Sequence, residues 1–534
     1  MFNRPTVKKL NLNLFANLNL NYKGISVLLV LIFVLLRLYL IQVPEIKKTD
    51  WKEIDYIQIS KNYTKKEVQF WEPTISWPAE GPRVTAMEFP LVPFVASKLY
   101  QLFGFNVFTL RIIPLICFIL LSIYLYKFVI LLTNDNGLAF MVLLISLIIP
   151  LNYIYSRMLF SDPVLLMFII ISIYNLLKWK ISGRQRYFIW SFVFFTLSLL
   201  LKPTSMYALL PLLYIYYTKT GNLYPKNYIR FGTAFLLSLI PSIMWYVYAY
   251  HLTQVSIDVF GVFGGHNKFQ TFTLLTDPNW WKTMLGRFYQ LFGGKYMFLI
   301  FIIGIFSGLF ERKFRLFYVI LISNLAFLFI LAEGHLDGPY RQFAFIASGS
   351  FFTAVGFVAI VSFFEYHYDF ISSKSRFLPK MNSKILYAGI LFLILARFSY
   401  NLVGIIPKNE DYIHHRYFYE IAQKLHNIKK TNSKIITTGN YSPEKGGNAL
   451  CPILYHYSDL QGWSLESEDL DMKTIEALKS KGADIFVGVY LFTKEATDFN
   501  LKVQNQYSVV YKSEDYVICD LTEKQSQKLH SRDK

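Results

Sequence analysis

Three carboxylates stand out because of what surrounds them. Asp55 lies in Trp51-Lys-Glu-Ile-Asp-Tyr-Ile-Gln-Ile-Ser, where apolar residues recur at helical spacing. Glu88 interrupts the apolar stretch Met87-Glu-Phe-Pro-Leu-Val-Pro-Phe. Asp162 follows Arg157-Met-Leu-Phe-Ser and opens the run that begins at Pro163. With Pro163 at a first helical position, Asp162 or Ser161 is the expected N-cap. The other reading of Asp162 is a carboxylate held at the membrane edge, facing loops. The cations that accompany these acids are Arg83, Arg157, Lys202 and Arg341. Arg341 follows Tyr340 and closes the polar loop Glu333-Gly-His-Leu-Asp-Gly-Pro-Tyr-Arg. Arg37, near the end of the first apolar run, is read either as one more or as a snorkelling side chain. His266 sits in Gly264-Gly-His-Asn-Lys, upstream of Trp280-Trp281, which reads as an interfacial aromatic belt.

Acids and cations together at one face of a membrane suit glycosyl transfer from a polyprenyl-phosphate sugar. Breaking the anomeric C–O bond leaves a phosphate that gains negative charge. Arginine and lysine stabilise that charge as it develops, so no strong general acid is needed. The acceptor hydroxyl is a poor nucleophile and needs a carboxylate base within reach. The long lipid needs a membrane groove, and the sugar and acceptor need water-facing loops.

The rest of the chain must hold these groups in a bilayer. Of its 534 residues 54% are hydrophobic, and only 17% are charged, against about a quarter in soluble domains. That excludes a soluble enzyme. Three cysteines exclude a disulfide-stapled secreted domain. The net charge of +19 is uneven: residues 407–534 carry 17 Lys/Arg and 18 Asp/Glu, so the excess lies in residues 1–406. No soluble segment is basic, and no nucleic-acid partner is expected.

A crossing needs about 20 apolar residues. Eleven spans are expected at about 25–43, 107–132, 138–154, 162–177, 187–201, 204–218, 231–250, 296–310, 316–332, 342–364 and 385–405. The pair at 187–201 and 204–218 is short and split by Lys202-Pro203. The loops on the N-terminal side hold 18 basic residues, and the short loops opposite hold only Arg157, Lys202 and Arg341. The positive-inside rule then makes residues 1–24 cytoplasmic. It places the outer loops 44–106 and 251–295, and the domain 406–534, outside the cytoplasm of a cell inner or plasma membrane. The multi-span catalytic domain covers 25–405. The fold class is a polytopic α-helical membrane protein with a small extracytoplasmic α/β domain.

In that domain Lys434-Ile-Ile-Thr-Thr and Asp484-Ile-Phe-Val-Gly-Val-Tyr read as strands. Met472 to Lys481 reads as a helix, and Ser508-Val-Val-Tyr with Tyr516-Val-Ile-Cys as a hairpin. Cys451 and Cys519 either pair or stay as thiols. No CxxC exists, so no structural zinc site is expected.

These motifs, in this order, resemble the GT-C fold glycosyltransferases, in the branch of protein O-mannosyltransferases and the lipid A aminoarabinose transferase. The resemblance covers most of residues 24–405. It is carried by Asp55-Tyr56, Glu88-Phe89-Pro90, Phe103-Gly104, Arg111, Arg157 with Asp162, Lys202 and Tyr340-Arg341. Tyr56 departs from an acidic second position. The resemblance implies Asp55 as the catalytic carboxylate and base, with Asp162 and Glu88 supporting it or positioning the acceptor. Arg83, Arg157, Lys202, Tyr340 and Arg341 would hold the lipid phosphate or sugar, with His266 assisting. A single displacement would invert the anomeric centre. The expected partners are a polyprenyl-phosphate sugar, a lipid, glycan or protein acceptor, and membrane lipids. No cofactor is required, although Asp55 with Asp162 could bind a divalent metal. Rival readings are a lipid-linked oligosaccharide polymerase or ligase, a transporter or flippase, and a non-catalytic assembly protein. Transporters usually show internal repeats, and none is visible.

Overall fold

The computed structural model describes residues 21–38, 51–77, 79–81, 83–220, 225–256, 262–263, 271–374, 389, 396–397, 400, 413–428, 432–438, 452–465, 467–490 and 494–525. It divides into two units. The first comprises Met1–Gln42, Arg111–Tyr248 and Gly264–Ile406; the second comprises Val43–Leu110, Ala249–Phe263 and Pro407–Lys534.

Five helices among the described residues are long and apolar enough to cross a membrane: Phe108–Thr133, Ser161–Ser182, Tyr228–Thr253, Arg312–Ile330 and Pro339–Tyr368. Pro278–Phe292 and Lys295–Gly308 make a sixth if the pair, bent by 92°, is one span. Shorter apolar helices are Leu91–Phe103, Asn136–Ile148 and Gln185–Leu201. This is fewer than the eleven expected spans. The stretch 138–154 is broken, because helix Asn136–Ile148 ends at extended Ile149 and a new helix starts at Pro150. Proline disfavours helical backbone in the residue before it, which accounts for the break. The stretch 204–218 begins as the 3₁₀ turn Pro203–Ala208. The span expected at 385–405 lies almost wholly outside the described residues.

Within the first unit, helices Lys295–Gly308 and Ile346–Lys374 approach almost backbone to backbone. A Cβ on Gly304 would fall 1.7 Å from the Phe352 carbonyl oxygen, and one on Gly356 2.0 Å from that of Ile300. Small residues permit such contact in lipid, where close packing replaces the hydrophobic drive. Gly356→Val is expected to force the helices apart and cost several kcal/mol, as overpacking at rigid backbone does. The readout is the thermal midpoint of the detergent-solubilised protein, which should fall by many degrees.

Arg37 does not snorkel. It is fully buried in the first unit. Its Nε donates to Ser156 Oγ at 2.6 Å, and its guanidinium lies 3.8 Å from the centre of the Phe118 ring.

The second unit joins residues of Val43–Leu110 to the carboxyl-terminal sheet. The strands are β1 (Lys434–Thr437), β2 (Gln461–Ser464), β3 (Ile485–Val489), β4 (Tyr507–Lys512) and β5 (Tyr516–Lys524). Their order is β2-β1-β3-β5-β4. The β2/β1/β3 pairs are parallel, and β5 runs antiparallel to β3 and β4. The expected strands, hairpin and helix are all present. Strand β2 and helices Ile413–Ile428, Pro452–Ser458 and Lys494–Gln506 add to them. Ile436, Ile475, Phe486, Val503 and Val517 share one apolar core, against which Ala79 packs. Ion pairs Lys61–Asp459 and Lys481–Glu80, each 2.8 Å, join the same parts. Cys117 and Cys519 are buried thiols, while Cys451 lies outside the described residues.

Candidate active site

The two units each contain one cluster of predicted site residues.

In the second unit, Asp55 sits on helix Trp51–Asn62. The sequence suggests one apolar face, but residues 53–60 are buried on every side. Helices Leu91–Phe103 and Pro452–Ser458 both cover this helix. Spacings of three and four place Lys52, Asp55 and Tyr56 close together along it. Lys52 Nζ bonds Glu88 Oε1 at 2.5 Å, and Tyr56 Oη donates to Glu88 Oε2 at 3.1 Å. Tyr56, the departure from the expected acidic pair, thus holds an acid instead of being one. Glu88 is neutralised by Lys52 and suits a supporting role better than a basic one.

Asp55 is different. Its Oδ1 is buried and has no hydrogen-bond partner among the described residues. Burial raises its pKa to about 8, and the Lys52 charge only partly offsets that. A carboxyl poised near working pH is a stronger base than an ordinary one. Arg83 is half-buried in the loop closed by the Thr74↔Val84 bridge, and its carbonyl accepts from Ile75 N at 2.9 Å.

In the first unit, Lys202 ends helix Gln185–Leu201. It precedes Pro203 and is extended, at φ −153° and ψ 124°. Its Nζ lies 2.7 Å from both oxygens of Asp162. Asp162 therefore does not cap its helix. That helix starts at Ser161, after Phe160 and without a side-chain cap, so Pro163 is its third residue and not its first. Lys202 Nζ also lies 4.9 Å from the centre of the Tyr340 ring, and Arg341 Cζ lies 5.2 Å from the same centre. The two cations thus share one aromatic ring. Gly338 makes room for it, since a Cβ there would come 2.3 Å from Tyr340 Cε1. Tyr155 and Phe160 pack against Tyr340 at 6.4 and 5.9 Å. Arg341 Nη1 is buried without a hydrogen-bond partner among the described residues. The Arg157 guanidinium lies over Tyr153, 5.3 Å from its centre. His266 lies outside the described residues.

His335, which the sequence did not single out, is fully buried near Arg341. Burial, then Arg341 and Arg287, lower its pKa to about 3, so the ring is neutral. Among the described residues no three His, Cys, Asp or Glu side chains are grouped to hold a metal ion.

Residues 85–245 match the family of dolichyl-phosphate-mannose-protein mannosyltransferases. No curated protein matches the chain by sequence. Solved structures do match. ArnT from Cupriavidus metallidurans, bound to undecaprenyl phosphate, aligns at a TM-score of 0.65 and 11% identity, over 93% of this chain and 97% of that one. The fold is GT-C. The oligosaccharyltransferase of Archaeoglobus fulgidus, tethered to an acceptor peptide, aligns at 0.51 and 11% identity, over 92% of this chain and 73% of that one. A mycobacterial arabinofuranosyltransferase, AftD, aligns at 0.54 and 10% identity, over 93% of this chain and 41% of that one. A GT-C fold and its apolar helices make the chain an integral membrane protein.

Proposed function

We propose that the chain transfers a sugar from a polyprenyl-phosphate donor to a lipid, glycan or protein acceptor at the outer face of the membrane. One observation carries this reading. Lys202, gripped by both Asp162 oxygens, and Arg341 flank the Tyr340 ring. Such a cationic pair suits a phosphate that gains charge as its bond to sugar breaks. The undecaprenyl phosphate bound to ArnT and the acceptor peptide tethered to the oligosaccharyltransferase support lipid-carrier and acceptor partners. The mannosyltransferase match supports a sugar as cargo.

In the proposed step the acceptor hydroxyl oxygen attacks the anomeric carbon. The bond from that carbon to the phosphate oxygen breaks, and its electron pair stays on the phosphate. Asp55 takes the hydroxyl proton. Lys202 and Arg341 hold the leaving phosphate, with Arg157 and Arg83 as further cations, while Asp162 fixes Lys202. Lys52 and Tyr56 hold Glu88, which positions the acceptor. His266 assists. Attack opposite the leaving group inverts the anomeric centre. No metal is called for, so dialysis against EDTA should leave the transfer rate unchanged. A rate lost to EDTA and restored by a divalent cation contradicts that part. The N-terminus is proposed to be cytoplasmic and residues 406–534 extracytoplasmic, in line with the 18-to-3 basic count.

The test is mass spectrometry of envelope glycolipids, glycans and glycoproteins from cells with and without the chain. One class should lose a single sugar residue when the chain is absent. An unchanged set of all three contradicts the proposal. In the purified protein, Arg341→Ala should weaken donor-lipid binding by roughly tenfold or more, as loss of a charged hydrogen bond does. Unchanged affinity would remove Arg341 from the phosphate site.

A further inference from the structure

Between Asp162 and Asp258 the chain has eight lysines and arginines and no acid. Seven of the eight fall in two connections, 178–186 and 219–230. Both connections adjoin the ends of apolar spans. Helix Ser161–Ser182 stops at Gly183, and the span Tyr228–Thr253 carries Arg230 in its first turn. Gly183 is left-handed, at φ 71°, and turns the chain so that helix Gln185–Leu201 runs back beside the first. The turn is therefore at the opposite end of both helices from Asp162 and Lys202. Lys178 is 16 residues from Asp162, and Arg186 is 16 from Lys202, roughly 24 Å at about 1.5 Å per residue.

The cations at this end are held in place. Lys178 Nζ sits 4.6 Å from the centre of the Tyr187 ring, and Arg186 Cζ sits 4.9 Å from it. Arg186 Nη2 also donates to Tyr187 Oη at 3.2 Å. Arg230 Cζ lies 4.2 Å from the centre of Phe188 and 5.5 Å from that of Trp179, and its guanidinium donates to the Gln185 amide oxygen. Aromatic faces thus fix positive charge from three helices at one place. Among the described residues, Lys178, Arg184, Arg186 and Arg230 have no carboxylate partner. Helix Gln185–Leu201 starts after Arg184 without a side-chain cap, so its end adds partial positive charge. Arg184, Arg186 and Arg230 are exposed, and so are the apolar neighbours Ile189, Trp190 and Ile229. Bare cations beside bare apolar side chains fit the boundary between headgroups and acyl chains, not open water.

We propose that this end of the helices binds the phosphate of an anionic phospholipid headgroup. Guanidinium forks match phosphate oxygens two at a time. The exposed isoleucines and Trp190 lie against the acyl chains. With no acid in either connection, the lipid supplies the negative charge. It ties the two helices that carry Asp162 and Lys202 to helix Pro225–Thr253 at their far ends. The site shares no residue with the proposed sugar transfer.

The test uses the full-length purified protein, with phosphatidylglycerol, phosphatidylcholine and inorganic phosphate as probes, and reads bound lipid by native mass spectrometry. The wild type should bind phosphatidylglycerol more tightly than phosphatidylcholine, and the former should raise its thermal midpoint. The triple variant Arg184→Gln, Arg186→Gln and Arg230→Gln should bind phosphatidylglycerol roughly a hundredfold more weakly, at roughly fivefold per charge. Phosphatidylcholine binding should not change. Arg184→Lys, Arg186→Lys and Arg230→Lys together keep the charge and should keep most of the affinity. Lys494→Gln, Lys502→Gln and Lys512→Gln, all exposed in the second unit, remove the same net charge elsewhere and should change nothing. If the Arg230 substitution prevents folding, the pair Arg184→Gln and Arg186→Gln should still show a loss of roughly 25-fold. No loss, equal loss toward both lipids, or the same loss in the lysine control overturns the proposal. Inorganic phosphate that binds as tightly as the lipid also overturns it, because the ligand is then not a lipid.

Discussion

Asp55→Asn is expected to abolish sugar transfer while the protein still inserts and accumulates. A positioned base contributes about 10²–10⁴-fold, and asparagine cannot accept the proton. The loss should therefore be at least a hundredfold in kcat, with donor-lipid affinity unchanged. The same substitution makes a second, opposite prediction for stability. Burial holds the Asp55 pKa at about 8, above its ordinary 3.8. Between those values the folded protein binds the proton and the unfolded chain does not. The contribution of Asp55 to stability is therefore fully present below about pH 4 and is lost as pH rises toward 8, at up to about 1.4 kcal/mol per pH unit. Asparagine carries no charge to desolvate. The variant should match the wild type in acid and melt at a higher temperature at pH 8.5. For the wild type, kcat/KM should rise with pH, reach half its plateau near 8 and level off above that. A variant that keeps its activity removes Asp55 as the base. Wild-type transfer that is flat from pH 6 to 9 does the same.

Lys202→Ala is the second large effect. The Lys202 and Asp162 side chains are 14% and 9% exposed. Removing one partner of a buried pair leaves an uncompensated charge, at a cost of about 3–5 kcal/mol. The substitution also removes a cation from the proposed leaving phosphate, worth roughly 10²–10³-fold in rate. The two losses separate in a double variant. Lys202→Met with Asp162→Asn leaves no unpaired charge, so the thermal midpoint should return most of the way. Transfer should stay at the level of Lys202→Ala. Recovery of transfer together with stability would mean that the pair is only structural.

The parts of this arrangement legible in the sequence are those signalled by a single residue in an unusual setting. Asp55 and Glu88 stood out as acids in apolar stretches, and Lys202 as a cation before proline. What the sequence could not give was the partner of each. Asp162 looked like a cap because Pro163 follows it, yet Lys202, 40 residues away, takes both its oxygens. Lys52 was within reach of inference, three residues before Asp55 on the same helix. His335 was not, because its neutral state depends on burial and on Arg341 and Arg287. In the carboxyl-terminal sheet, β3 was visible as Ile-Phe-Val-Gly-Val, buried along its length. Strand β2, Gln-Gly-Trp-Ser, is too short and too polar to announce itself. Helix Lys494–Gln506 is mostly polar, and only a few residues such as Phe499 and Val503 anchor it. Among the described residues five or six helices are long and apolar enough to cross a membrane, against eleven expected spans. The break at Pro203 is legible in the sequence, whereas the one at Pro150 is hidden inside a continuous apolar run.

The most direct measurement is release of polyprenyl phosphate by the purified protein, supplied with a radiolabelled polyprenyl-phosphate sugar and a membrane extract as acceptor source. Label is expected to move to an acceptor in step with release of the lipid phosphate. Neither should occur with Asp55→Asn or Lys202→Ala. Label that crosses the membrane still attached to its lipid, with no bond broken, would contradict the proposed transfer.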